Sequence, residues 1–473
     1  MKKIISYLIN IISYCLLFAS YWSLSVYGKF NGDQMLFHLL VPIGKINTQS
    51  FAPLLTKVFI PGIICGLITA FLTMKYIKKH HWFLDIFIFC LLTGIGLYNI
   101  NFYEYINNQI NSSKFIEKNY IEPKKVSINF PSKKKNLIYI YLESIETAYL
   151  DRKNGGLQSI NLLPNLTNIA RENHNFSNTN KIGGALPING TSWTVASMVG
   201  QTSGMPLKIN TSSNGIIDFN EFFPNSYTLG DILKANGYSN YLLMGSDSTY
   251  GGRNTYFEQH GNYKIFDLNS AIAEKRMSKN DIVWWGFDDN NLFKYAKEQL
   301  TNISKEGKPF NYTMLTVDTH FEDGYLSSEC KKEFDNQYAN VIKCSDQKLY
   351  DFIEWLKIQP FYENTVIILV GDHPTMDVDF IKTDSKHLRT TYNVIINSEQ
   401  KEPNLKNRKF TSLDMFPTTL SAMGAEIESD KLGLGTNLYS NRKTLIEEYG
   451  YNYCYEELNK RSSFYNNKIL QYK

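Results

Sequence analysis

Apolar residues are concentrated in the first hundred positions, and beyond them the pattern changes to short alternating elements. Ile4 to Leu24 carries no charge and approximates the roughly 20 residues needed to cross a bilayer. Val58 to Met74 and Trp82 to Tyr98 are second and third runs of this kind. Asp85 falls only near the start of the third, at a depth where a head-group position tolerates it. A cleavable signal peptide is the competing reading of the first run, but that run is long and no clear small-residue cleavage site follows it. Lys2 and Lys3 precede the first run, and Lys75, Lys78, Lys79, His80 and His81 lie between the second and third. After the third, no Lys or Arg occurs until Lys114. Counted by the positive-inside rule, three spans with a cytoplasmic N-terminus leave everything beyond about residue 100 outside the cytoplasm.

Residues 1–99 are therefore expected to be a transmembrane region, with spans near 4–24, 58–74 and 82–98. Residues 100–135, rich in Asn and aromatics and ending in Lys133, Lys134 and Lys135, read as a juxtamembrane connector. From Asn136 to Lys473 the chain reads as one extracytoplasmic domain. NLIYIYLES, YSNYLLMG, PFNYTMLTVDTH and TVIILVGDH are apolar, strand-like runs. Between them, LLPNLTNIARENH, SYTLGDILKAN and SDQKLYDFIEWLKIQ have helical patterning. Short apolar strands separated by helices predict an α/β sandwich with a mainly parallel sheet.

With 473 residues and 43% hydrophobic content, the chain can bury one large domain besides its membrane segments. A formal charge of +4 is small for this length, and no basic stripe interleaved with aromatics marks a nucleic-acid surface, so nucleic acid is discounted as a partner. Cys15, Cys65 and Cys90 lie in the apolar runs, where a small hydrophobe suffices as explanation. Cys330 and Cys344 lie in the outer domain, where an oxidising compartment favours a disulfide; the loop of about 15 residues would contribute roughly 3 kcal/mol. Cys454 is left over.

In open α/β sheets, ligands bind beyond the carboxyl ends of the strands. Glu143, His320, Asp372 and His373 each follow an apolar strand in this reading, which suggests one shared site. Two carboxylates and an imidazole suit a divalent metal, with Mn²⁺ favoured and Zn²⁺ the other candidate. A hydroxyl brought to that metal is acidified, and Thr191, in NGTSWTVASMVGQTSGMPL, is the candidate nucleophile. Taken singly, a carboxylate after a strand is usually a turn or cap residue, and a Thr in a polar segment is usually structural. The ordered combination is what raises the chemical reading above that.

IYLESIE, GTSWTVASMVGQTSGMPL, LTVDTHFEDGY and GDHPTM, with the weaker PNLTNIA and SLDMFPTTL, resemble the alkaline phosphatase and sulfatase superfamily over about Asn136 to Leu438. Within it, the chain is similar to the membrane-anchored phosphoglycerol transferases. That resemblance implies an alkaline-phosphatase/sulfatase-like sandwich with Glu143, Thr191, Asp372 and His373 as the metal site and Thr191 as the covalent nucleophile. It implies that His320 lies beside the transferred group, binding phosphate or moving protons, and that Arg253 holds the glycerol phosphate. Gly251 stands where lipoteichoic acid synthases carry a tryptophan, a departure from the pattern. The implied partners are phosphatidylglycerol as donor and a cell-envelope glycan as acceptor, at a bacterial inner membrane. A phosphoethanolamine transferase and a sulfatase-fold phosphohydrolase are the alternatives, although the Cys/Ser-x-Pro-x-Arg motif of sulfatases is missing from the nucleophile region. A catalytically silent binding protein, the remaining reading, is expected to have lost these ligands.

Overall fold

The structure is a computed structural model that describes residues 2–27, 32–40, 52–77, 80–209, 221–377, 379–381, 388–401 and 404–471. Lys78 and Lys79 of the orientation argument lie outside the described residues. Contacts divide the chain into two compact units, one built on the residues up to Asn111 and the other on Ser112–Thr375 and the residues from Asp379 onward.

The first unit contains α1 (Lys2–Tyr27), α2 (Gly32–Leu40), α3 (Ile60–Tyr76), α4 (His81–Asn99) and α5 (Phe102–Ile110). Among the described residues, three helical runs, Lys3–Ser25, Ala52–Tyr76 and His81–Asn99, are long and apolar enough to cross a membrane. Close helix approach is set by small residues: a Cβ on Gly66 would lie 2.5 Å from the Ile11 Cα, and one on Gly62 2.5 Å from Cys15 Sγ. Such spacing lets two backbones pack where no hydrophobic drive exists between helices in lipid. Asp85, near the start of α4, is buried among these helices. Its carboxylate accepts from Ser6 Oγ (2.6 Å), Asn10 Nδ2 (2.9 Å), Thr73 Oγ1 (2.8 Å) and His81 Nδ1 (3.0 Å).

The expected connector, 100–135, is divided between the units. The second begins at Ser112 because Ser113 N donates to the Arg461 carbonyl and Ile121 N to that of Gly433, tying this stretch to the outer domain's C-terminal part.

The second unit is built on a seven-stranded sheet: β1 (Asn136–Leu142), β2 (Gly184–Ala185), β3 (Ser239–Met244), β4 (Lys264–Phe266), β5 (Phe310–Leu315), β6 (Thr365–Gly371) and β7 (Thr391–Ile396). Their spatial order is β2-β7-β6-β1-β5-β3-β4, with β7 antiparallel to both neighbours and every other pairing parallel. Strands buried on both faces read as continuous apolar runs, which is why β1, β5 and β6 were visible in the sequence.

Helices cover both faces. Ile138, Ile140 and Leu142 of β1 share a core with Leu166 and Ile169 of α6 (Pro164–Glu172), Phe293 and Leu300 of α10 (Asp289–Ile303), and Leu349, Phe352 and Ile353 of α11 (Gln337–Lys357). On the opposite face, the Tyr139 hydroxyl donates to Gln201 Oε1 (2.7 Å) in α7 (Thr194–Ser203). The helices α8 (Leu229–Ala235), α9 (Arg253–Gln259) and α12 (Met415–Ala422) also belong to this unit. Cys330 and Cys344 are bonded as a disulfide, and Cys454 is a free, buried thiol.

Candidate active site

Strand register creates the site. β1 and β6 are parallel neighbours with Leu142 opposite Gly371, so the residue after each strand emerges at the same edge: Glu143 from one, Asp372 and His373 from the other. Gly371 permits this closeness, since a Cβ there would stand 1.8 Å from the Ile145 carbonyl oxygen. The ligand atoms of Glu143, Asp372 and His373 all lie within 4.8 Å of one another, and all three residues are buried.

Backbone and hydroxyl donors orient this trio. Asp372 Oδ1 accepts from Ser144 N and His373 N, both at 2.7 Å. The Ser144 hydroxyl donates to Glu143 Oε1 at 2.9 Å. His373 Nδ1 donates to the Pro374 carbonyl at 3.0 Å, which turns Nε2 toward the carboxylates, 3.4 Å from Glu143 Oε1 and 3.5 Å from Asp372 Oδ2. Asp372 Oδ2, although buried, has no hydrogen-bond partner among the described residues. A buried carboxylate oxygen left in this state fits a cation as its missing partner.

Electrostatics point the same way. Burial, with the Glu143 charge added to it, pushes the Asp372 carboxyl well above its usual range. Burial also opposes ionisation of His373, but the Asp372 and Glu143 carboxylates overcome that and raise it. Two buried carboxylates this close require positive charge, and these donor atoms can hold a divalent ion.

The hydroxyl beside the trio belongs to Thr194 and not to Thr191. Thr194 Oγ1 donates to Glu143 Oε2 at 3.2 Å and lies 3.4 Å from His373 Nε2. Thr191 is buried three residues earlier, with its hydroxyl donating to the Ile188 carbonyl at 2.8 Å and accepting from Ile188 N at 3.4 Å. The expectation for Thr191 is corrected by where the helix begins. Trp193 has extended backbone and Thr194 is the first residue of α7, so the Thr194 side chain stands at the helix N-terminus among unpaired N–H groups. An apolar run starting at Val195 after polar residues is the sequence signal that could have located it.

His320 does not follow its strand directly. β5 ends at Leu315, and a four-residue loop intervenes, in which Val317 N (2.8 Å) and Asp318 N (3.2 Å) donate to the Asp289 carboxylate. His320 Nδ1 donates to the Phe321 carbonyl (2.6 Å), which leaves the Nε2 lone pair available. Burial lowers its pKa, and the charge of Glu143 offsets this only in part, so the ring is neutral near pH 7.

Arg253, the first residue of α9, follows Gly251 and Gly252, both in left-handed conformation at φ 71° and 69°. Its buried guanidinium donates to the Tyr250 carbonyl (3.0 Å) and the Asp247 carbonyl (2.6 Å), and lies close enough to Glu143 to interact with its charge. Two aromatic rings lie beside His320, those of Phe321 at 5.5 Å and of Trp285 at 5.0 Å between ring centroids, the latter a residue the sequence did not single out.

The sulfatase family model matches residues 135–425. Curated relatives include phosphoglycerol transferase I of Escherichia coli (strain SMS-3-5 / SECEC), 32% identical over 332 residues, and that of Salmonella choleraesuis (strain SC-B67), 31% identical over 332 residues. Each alignment covers 68% of this chain, and the chain spans about two fifths of the length of these relatives, 41%. Among solved structures, the lipoteichoic acid synthase LtaP from Listeria monocytogenes superposes with a TM-score of 0.54 at 16% identity, over 70% of this chain and 82% of that one. The lipooligosaccharide phosphoethanolamine transferase A from Neisseria meningitidis gives 0.54 at 15% identity, over 90% and 84%. These two likenesses are of fold. With its mostly parallel sheet, its strand-end carboxylates and the family match across more than half its length, the chain belongs to the sulfatase family of the alkaline phosphatase superfamily.

Proposed function

We propose that this chain is a transferase that moves a phosphoglycerol headgroup from phosphatidylglycerol to a hydroxyl of a cell-envelope glycan, carrying the group on Thr194 as a phospho-threonine. The observation that carries this reading is the Thr194 hydroxyl at the head of α7, 3.2 Å from Glu143 Oε2 and 3.4 Å from His373 Nε2. The name borne by the curated relatives, phosphoglycerol transferase, supports the choice of headgroup. Three apolar helices support a membrane anchor, and an anchored site has a high effective concentration of lipid donor. The Cys330–Cys344 disulfide and the basic residues flanking the apolar runs support an outer-face location on a bacterial inner membrane.

A divalent ion held by Glu143, Asp372 and His373 would supply the positive charge that acidifies a neighbouring hydroxyl and offsets phosphate charge, and this donor set suits Mn²⁺, with Zn²⁺ as the alternative. Thr194 Oγ1 attacks the phosphorus of the headgroup. The bond from phosphorus to the diacylglycerol oxygen breaks, and diacylglycerol leaves with the proton Thr194 gives up. The N-terminal amides of α7 and the Arg253 guanidinium face the phosphate oxygens. An acceptor hydroxyl then attacks the same phosphorus, the bond to Thr194 Oγ1 breaks, and Thr194 regains a proton. His320, neutral and with Nε2 unprotonated, relays the acceptor's proton.

The test is headgroup transfer by the full chain in vesicles containing labelled phosphatidylglycerol or labelled phosphatidylethanolamine. Label moving from the first lipid to glycan is the expected result. Transfer from phosphatidylethanolamine alone, or release to water alone, would replace this reading with one of its alternatives.

A further inference from the structure

Trp284 and Trp285 form the tip of a two-residue hairpin. Val283 N donates to the Gly286 carbonyl and Gly286 N to that of Val283, each at 2.9 Å. Trp284 takes φ 54°, a left-handed conformation disfavoured for bulky side chains; such tips favour Gly, Asn or Asp. Both indoles remain 38% exposed, so core packing does not account for them. Strain of this kind, holding exposed aromatics beside a reactive centre, points toward a binding role.

The hairpin is rigidly mounted. Gly286 bridges Ser246, and Phe287 N donates to the Gly245 carbonyl at 3.0 Å, so the tip is fixed to the chain leaving β3, which leads on to Tyr250 and Arg253. Trp285 lies 5.0 Å from the His320 ring and 6.2 Å from the Tyr250 ring, and the Arg253 guanidinium carbon is 5.8 Å from Tyr250. Aromatic and phosphate-binding groups therefore sit side by side at this edge.

We infer that Trp285 is a wall of the acceptor subsite, stacking on the C–H face of a sugar ring and bringing one of its hydroxyls to the phosphorus. The face of an indole carries negative potential, so it disfavours phosphate and suits the weakly positive C–H face of a neutral pyranose. A glycerol headgroup has no ring to cover the indole. The inference rests on the glycan-acceptor reading of the previous subsection.

The experiment uses the full chain in phosphatidylglycerol vesicles, with a soluble glucose oligosaccharide and ring-less glycerol as alternative acceptors. Trp285→Ala is expected to raise the oligosaccharide KM about tenfold, to weaken direct oligosaccharide binding equally, and to lower transfer to the oligosaccharide far more than transfer to glycerol. Trp285→Phe is expected to recover part of the loss. Unchanged KM and oligosaccharide binding in Trp285→Ala would overturn the inference, as would equal losses with both acceptors. A wild-type chain that releases no diacylglycerol, while its oligosaccharide binding still depends on Trp285, would instead overturn the donor reading and leave this wall supported.

Discussion

The Thr194 hydroxyl donates to Glu143 Oε2 across 3.2 Å, joining the first residue of α7 to the residue that follows β1. Thr191, in the same segment, commits its hydroxyl proton to the Ile188 carbonyl. Two threonines three positions apart therefore have different chemistry open to them. Thr194→Ala is expected to lower transfer by roughly 10⁴-fold or more, as loss of a nucleophile does. Thr191→Ala is expected to retain activity within a few-fold and lose about 1 kcal/mol of stability, the net worth of one hydrogen bond. Trapping of radiolabelled phosphoglycerol on the protein, followed by peptide mapping, distinguishes the two; label on Thr191 would reverse the assignment.

Asp372 Oδ2 has no hydrogen-bond partner among the described residues although it is buried. Adding Mn²⁺ to chelator-treated protein should raise the thermal midpoint of the wild-type chain, by ligand linkage. Asp372→Asn should lose that response and the copurifying metal together. An unaltered metal content in this variant, read by elemental analysis, would rule out Asp372 as a ligand.

Asp85 gathers four donors from three helices of the membrane unit. Asp85→Leu removes the carboxylate that accepts from Ser6, Asn10 and Thr73, leaving Asn10 the Ser6 carbonyl and Thr73 the Ala70 carbonyl, and polar contacts between membrane helices average somewhat under 1 kcal/mol each. A loss of about 1–3 kcal/mol is expected in the midpoint of unfolding in mixed detergent micelles. Asp85→Asn, which keeps one acceptor oxygen, should lose less.

Asp346 accepts from the backbone N–H groups of Asn165 and Leu166 at the start of α6, and burial pushes its carboxyl up to about 6. A folded-state pKa above the unfolded one means that its contribution is full below about pH 4 and is lost as pH rises through about 6. Thermal midpoints measured from pH 4 to 7 should therefore decline more steeply for the wild type than for Asp346→Asn. At about 1.4 kcal/mol per pKa unit, on the order of 3 kcal/mol is at stake. Parallel curves for the two proteins would remove Asp346 as the cause.

Local pattern carried much of the architecture. The apolar runs at 4–24, 58–74 and 82–98 fall within helices, and β1, β3, β5 and β6 coincide with strand-like runs in the sequence, because length and continuous apolarity are properties of neighbouring residues. The short strands β2 and β4 left no comparable mark, and neither did the antiparallel direction of β7. Two or three residues show no periodicity, and strand direction is not encoded in it. Glu143, Asp372 and His373 were legible as candidates because each adjoins an apolar strand and its residue type already suggests metal chemistry.

The sequence by itself determined that three apolar segments precede an α/β domain with carboxylates and histidines near its strand ends. Tertiary structure decided that Leu142 pairs with Gly371, which sets Glu143 beside Asp372, and that Asp85 turns inward among helices. It also decided that Thr194 reaches the trio while Thr191 does not, and that Trp285, 35 positions before His320, stands against its ring. The physical reason is common to all of these. Residue type and periodicity are local, whereas the direction of one side chain depends on where a helix starts and which strands pair.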